Sequence, residues 1–190
     1  MKEKTDLRII KTHKALCEAF AELLETKSFE DITVNELCDK ALVRRPTFYK
    51  HFADKYDFFA YYVRCIGDSF ALKYDENAHE NSYFDYMFEH ALDFFEANMK
   101  MVNNIQNSTV FSSLTTIICE EIQRNIYLML KSQLKEEQPS ELSLTIISNY
   151  MAGGISQLFR YWIKNRDSVS REMLRKDVSF ATDIALWHMK

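Results

Sequence analysis

Arg44, Arg45, Thr47, Tyr49, Lys50 and His51 crowd six hydrogen-bonding side chains into eight residues. The set suits nucleic acid. Arginine presents paired donors to guanine, threonine meets a thymine methyl or a phosphate, and tyrosine, lysine and histidine bond phosphate oxygens. The same residue types also make ordinary solvated helix faces, so composition alone leaves both readings open. Local order favours the first. Pro46 suits a first helical turn, where an amide has no intrahelical partner. Phe48 and Phe52 stand four apart and share one helix face. With that face inward, the polar set points out.

Such a helix needs a scaffold. Thr33-Val34-Asn35-Glu36 has the form of a capping box, in which the Thr33 hydroxyl accepts from the Glu36 amide and the Glu36 carboxylate reaches back. Ile32 and Leu37 fit the hydrophobic staple around it. The spacing predicts a helix over 33–40, too short to stand alone. Upstream, Ile9, Leu16, Phe20 and Leu23 form a stripe with the helical period, predicting a helix over about 5–26. Phe29 reads as a core plug in the connection 27–31. Two short helices with a tight turn between them and a longer helix before them are the parts of a helix-turn-helix, whose second helix enters the major groove.

The stretch 29–59, FEDITVNELCDKALVRRPTFYKHFADKYDFF, resembles the DNA-binding region of the TetR family of regulators. The likeness rests on Ile32-Thr33-Val34, Ala41, the run Thr47 to Phe52, and Asp54-Lys55, with Ala15, Phe20 and Leu24 fitting in the first helix. It covers roughly residues 5–60, and the remainder only in general helical layout. The resemblance implies roles. Thr33 would bring a helix N-terminus to a phosphate. Arg44, Arg45 and Thr47 would read bases. Tyr49, Lys50 and His51 would grip backbone, and Lys55 another phosphate. The family usually has glycine where this chain has Leu42, and often where it has Pro46. Leu42 disfavours a positive φ, so an altered turn is expected.

The resemblance further implies an all-α fold in two parts. An N-terminal helix-turn-helix domain (1–60) precedes a helical effector-binding and dimerisation domain (61–190). Helical periods run over 83–101, 109–134, 140–164 and 170–189, with a polar loop at 75–82 and a break at 103–107. The aromatic segment 83–101 offers a pocket wall for a small apolar or aromatic effector: Phe84, Met87, Phe88 and Phe94, with His90 as a hydrogen-bonding group. Plain core packing competes with that reading at each residue. Gly153 and Gly154 interrupt an apolar helix, which close helix–helix approach would explain. With Trp162 and Trp187 they are the expected homodimer interface, and a dimer would read paired half-sites of a palindromic double-stranded operator.

The implied function is a repressor released from DNA by its effector. A DNA-binding protein of the same fold under control of a protein partner is the alternative. An enzyme is not expected, because the chain lacks a Gly-rich phosphate loop, a His-Glu-x-x-His pair and a Gly-x-Ser-x-Gly elbow. No cofactor or metal is expected. Cys17, Cys38, Cys65 and Cys119 are too widely spaced for a zinc knuckle and read as reduced thiols, with Cys17 and Cys38 among buried positions. The chain has 190 residues, 3 Gly, 2 Pro and a net charge of −4. Bases and acids nearly balance over 1–64, and acids predominate afterwards. No apolar run approaches membrane-spanning length, and the charged N-terminus is unlike a signal peptide, so a cytoplasmic protein is expected.

Overall fold

A computed structural model describes residues 7–72, 83–133 and 140–187, with the side chains of 83, 84, 133 and 182–187 outside that description. Among the described residues all regular structure is helical. The helices are α1 (Leu7–Leu24), α2 (Val34–Lys40), α3 (Arg45–His51), α4 (Lys55–Ala71), α5 (Tyr83–Ala97), α6 (Met99–Gln106), α7 (Phe111–Gln133), α8 (Glu141–Lys164) and α9 (Arg171–Trp187), with a 3-10 turn at Phe29–Asp31. The loop expected at 75–82 and the tail of the last predicted helix lie outside the described residues.

The helix boundaries differ from expectation at one place. Within the break expected at 103–107, residues 103–106 are helix and Asn107 only caps it, while the helix expected over 83–101 is divided at Asn98 between α5 and α6. The asparagines of α6 have modest helix propensity, but Met101 and Val102 are buried and hold it in place.

The chain divides into two compact units. The first comprises Met1–Arg64 with Ala97–Ile117, the second Cys65–Glu96 with Ile118–Lys190. The first unit thus takes in α6 and the start of α7 besides the N-terminal helices. α1 packs on α2 and α6, and α2 packs on α3. Its core is a run of rings. Phe20 meets Phe58 at 5.2 Å and Tyr62 at 5.3 Å, Phe29 meets Phe59 at 5.4 Å, and Phe52 meets Phe58 at 4.9 Å. Burial pushes the Tyr62 hydroxyl up to about 12, and it donates to the Met101 sulfur at 3.6 Å.

In the second unit, α5, α7, α8 and α9 surround Leu92, Leu130, Leu144, Ala152, Phe159 and Trp162. Gln123 Nε2 donates to the buried Ser148 hydroxyl at 2.7 Å, satisfying the one polar side chain of α8 that faces this core at 0% exposure. Arg171 ties α9 to α5 through Glu89, Asp93 and Glu96 at 2.6 to 2.9 Å. None of the four cysteines is in a disulfide; Cys38 is buried, whereas Cys17 is only half-buried, contrary to expectation.

Candidate nucleic-acid interface

The Thr33 hydroxyl accepts from the Glu36 amide at 3.2 Å, as the capping box requires. The return half of the box is replaced: the Glu36 carboxylate pairs with Lys27 Nζ at 2.6 Å. Ile32 and Leu37, the expected staple pair, are both buried.

α2 ends in a Schellman motif. The Val43 amide donates to the Cys38 carbonyl at 2.9 Å and the Leu42 amide to the Asp39 carbonyl at 3.2 Å. That motif needs a left-handed residue at Leu42, and Leu42 supplies it with φ 55°. The expected change of turn geometry is therefore not found. The backbone keeps the conformation a glycine would take, with the leucine side chain 94% exposed.

α3 then begins at Arg45, with Arg44 as its N-cap residue and Pro46 in the first turn. Arg44 makes no side-chain cap bond; its carbonyl accepts from the Thr47 amide at 2.8 Å. Phe48 and Phe52 are buried, meeting each other at 5.4 Å. Arg44, Arg45, Tyr49 and Lys50 are exposed, and Thr47 and His51 are half-buried. The structure thus gathers the six polar residues on and beside one short helix whose apolar face is anchored. Thr33 is exposed at the start of α2.

Lys55 is placed otherwise than expected. Its ammonium donates to the carbonyls of Phe29 at 3.0 Å, Glu30 at 2.9 Å and Ile32 at 3.0 Å. Its three hydrogens are thereby engaged within the protein rather than offered outward. Asp54 caps α4, accepting from the amides of Tyr56 at 2.8 Å and Asp57 at 2.9 Å.

Three polar links of the first unit escaped the sequence reading. Asn104 Nδ2 donates to the Leu24 carbonyl at the end of α1 at 2.8 Å. Glu30 accepts from the Ser108 hydroxyl at 2.5 Å and the Thr109 amide at 2.8 Å, and these bonds, the hydroxyl's first, hold its carboxyl down at about 2. His13 shares a 3.0 Å hydrogen bond with the Tyr61 hydroxyl and stands edge-on to His51, 4.9 Å between centroids. Burial, then the charge of His51, lowers His13 below its usual range. A helical period through Met101, Val102 and Ile105 was the available signal for the first link. Nothing in the sequence marks the other two, which join residues 78, 79 and 48 positions apart.

In the second unit the expected pocket residues divide. Phe88 is buried in the core, 5.2 Å from Phe159. Met87, His90 and Phe94 are half-buried, with His90 4.2 Å from Tyr86 and stacked at 5.9 Å on Phe70. The Phe84 side chain lies outside the described residues, as does that of Trp187. Trp162, expected at the dimer interface, is instead 2% exposed inside the core of its own protomer. The period explains this: Trp162 stands three residues beyond Phe159, on the face of α8 that turns inward. Gly153 and Gly154 are exposed, and a Cβ on either would meet nothing within 4 Å.

Residues 16–62 match the model of bacterial regulatory proteins of the tetR family, and residues 83–179 match that of a transcriptional regulator C-terminal region. The chain belongs to the TetR family of transcriptional regulators. As a TetR-family protein it is a DNA-binding regulator and not an enzyme. The uncharacterized HTH-type transcriptional regulator YxbF of Bacillus subtilis (strain 168) is 41% identical over 56 residues, 28% of this chain and 15% of that protein. The TetR fold is similar to that of a regulator from Rhodococcus sp. RHA1, with a TM-score of 0.63 at 18% identity, covering 94% of this chain and 98% of that one. A TetR regulator from Streptococcus agalactiae 2603V gives 0.56 at 21% identity, covering 91% and 94%. The dihydroxyacetone kinase operon activator DhaS gives 0.51 at 20% identity, covering 93% and 95%. Among the described residues no helix is long and apolar enough to cross a membrane.

Proposed function

We propose that this TetR-family chain is a cytoplasmic homodimeric repressor that leaves a palindromic operator when a small apolar or aromatic effector binds its helical C-terminal unit. The observation that carries the DNA half is α3: Arg44, Arg45, Tyr49 and Lys50 are exposed while Phe48 and Phe52 anchor the opposite face. Arg44, Arg45 and Thr47 read bases. Tyr49, Lys50 and His51 hold the backbone, and Thr33 brings the α2 N-terminus to a phosphate.

The dimer is supported by a second apolar face on α8. Leu144, Met151, Phe159 and Trp162 fill the protomer core, yet Leu142, Ile146, Tyr150 and Tyr161 are 52% to 77% exposed. Leu142, Ile146 and Tyr150 are four apart and Tyr161 follows eleven residues on, three helical turns along the same stripe, and Gly153 and Gly154 leave room on it for a second helix. Met173 and Phe180 on α9 are exposed as well. A helix apolar on both sides is a helix buried on both sides. Met87, His90 and Phe94 are the effector contacts. Effector binding biases the protein to a form whose two reading helices no longer match successive grooves, to the extent of its differential affinity for the two forms. α4, which passes from the first unit into the second, carries the change.

The test is DNA selection with the purified protein, then binding to the selected duplex across a salt series. A palindromic winner bound by one dimer, with affinity falling steeply in salt and lost in Arg45→Ala and Tyr49→Ala, is the expected result. Failure to enrich any sequence at low salt sinks the reading. A reporter driven by the selected site reads the sign of regulation, since the structurally similar DhaS is described as an activator. If no small molecule in an apolar and aromatic library changes operator affinity, control by a protein partner takes the place of effector release.

A further inference from the structure

Lys55 is the first residue of α4, and its ammonium sits in a nest of carbonyls. The three acceptors, Phe29, Glu30 and Ile32, belong to the 3-10 turn and the residue that ends it. The Phe29 carbonyl also accepts from the Ile32 amide at 3.2 Å, and a turn this short leaves its last carbonyls without helical partners. The ammonium also lies over the Phe29 ring, 4.8 Å from its centroid, and Phe29 is fully buried. Two carboxylates, Glu30 and Asp31, favour its charge, although its burial outweighs them and lowers the amine below its ordinary range. The residue after the turn is Thr33, the cap of α2; the residue before Lys55 is Asp54, the cap of α4. One side chain therefore pins the start of α2 to the start of α4, and α3 runs between them along the chain.

We propose that Lys55 is a positioning residue for operator binding, locking the turn at 29–32 onto the start of α4 and so fixing the stance of α2 and α3, without touching DNA itself. This rests on the reading of α3 as the DNA-reading helix. The chemistry explains the residue type. Three carbonyls drawn from four consecutive residues converge on one point, which a compact ammonium with three donors satisfies. A planar guanidinium presents its donors as a fork and cannot. Toward a phosphate the order reverses, since arginine serves there at least as well.

The experiment uses the full chain and the selected duplex. Kd is measured across a salt series for the unsubstituted protein, Lys55→Arg, Lys55→Met and, as a backbone-contact reference, Lys50→Met, each at a temperature where circular dichroism shows it folded. Both Lys55 variants are expected to weaken binding by about tenfold or more, roughly 1.4 kcal/mol, with the slope of log Kd on log salt unchanged. Lys50→Met is expected to lower that slope by about 0.9, the loss of one phosphate contact. A Lys55→Arg that binds normally, with a reduced slope in Lys55→Met, makes Lys55 a phosphate ligand and overturns the proposal. So does unchanged Kd with only a lower Tm, which makes the clamp a matter of folding alone.

Amine acetylation rates of the unsubstituted protein, read by mass spectrometry, decide the case if neither variant folds. Lys55 is expected to react more slowly than Lys50 without DNA and to be unaffected by DNA. Equal reactivity in the free protein overturns the clamp. If the unsubstituted protein binds no duplex, the reading of α3 has failed and the proposal falls with it, which the variants alone could not reveal.

Discussion

Around Phe20 the first unit buries ring upon ring and holds two helices of only seven residues each; around Leu92 the second unit buries a mostly aliphatic core between helices of up to 24 residues. The first unit answers a geometric demand. α2 and α3 have seven residues each, too few to be stable alone, and they must hold one orientation to meet DNA. Rigid rings with few rotatable bonds, capping bonds at Thr33 and Asp54, and the Lys55 clamp fix that orientation. In the second unit α8 has apolar residues on both faces, and one face is satisfied within the protomer. The contrast is between a unit closed on itself and a unit left open along one helix.

The largest effect tests the closed core. Phe20 is fully buried and touches Phe29, Phe58, Phe59 and Tyr62. Phe20→Ala is expected to cost about 3–5 kcal/mol in urea unfolding, by lost transfer energy and the cavity left behind. The matching change on the open unit, Phe180→Ala at a residue 67% exposed, is expected to stay within about 0.5 kcal/mol in dilute, monomeric protein. Equal losses at the two sites would erase the contrast.

The open face makes the next prediction. Ile146→Glu combined with Tyr150→Glu places two charges on the α8 stripe, where both side chains are exposed in the protomer. The fold is expected to survive, while sedimentation shows monomers at concentrations where the parent is a dimer. A dimer that persists would move the interface elsewhere. A variant that unfolds would mean that the stripe is needed within the protomer.

The same contrast sets what could be read from the residues alone. The first unit's logic is local. A cap, a staple, a proline in the first turn and two phenylalanines four apart lie within twenty residues of one another, and α2, α3 and the outward set at 44–51 were legible from them. Long-range links were not. Lys55 has the residue type of a phosphate contact, and only the fold reveals that its donors meet carbonyls 23 to 26 positions away. In the second unit the periods gave the helices but not which apolar face turns inward, because α8 carries two. Trp162 falls on the inward face against expectation for that reason, and Phe88 on α5 is core where the period alone leaves packing and pocket wall undistinguished.

Leu42 supplies a smaller effect within the closed unit. It holds φ 55° in a Schellman motif with its side chain 94% exposed, so it gains no burial to offset a conformation that favours glycine. Leu42→Gly is expected to raise stability by about 1 kcal/mol, the left-handed penalty of an L-residue less the added entropy of a glycine in the unfolded chain. Chemical unfolding reads it directly. A loss of stability would show that the turn owes more to chain stiffness than to φ.

The smallest effect concerns the link from Glu30 to Ser108 and Thr109. Hydrogen bonds to the ionised carboxylate lower it from an ordinary 4.5 to about 2. A depressed carboxyl contributes stability that is fully present above its unfolded value and is lost as pH falls through its folded value. The contribution should therefore be constant above about pH 5 and fade between pH 4.5 and 2. Glu30→Gln removes the charge but keeps the shape, so the Tm gap between parent and variant should be flat at neutral pH and close on acidification. Glu30 is half-buried and still open to solvent screening, so the gap is expected to be small. A gap that stays the same at pH 3 as at pH 7 would mean that the carboxylate's charge contributes nothing there. The turn at 29–32 would then be held by Lys55 from one side only.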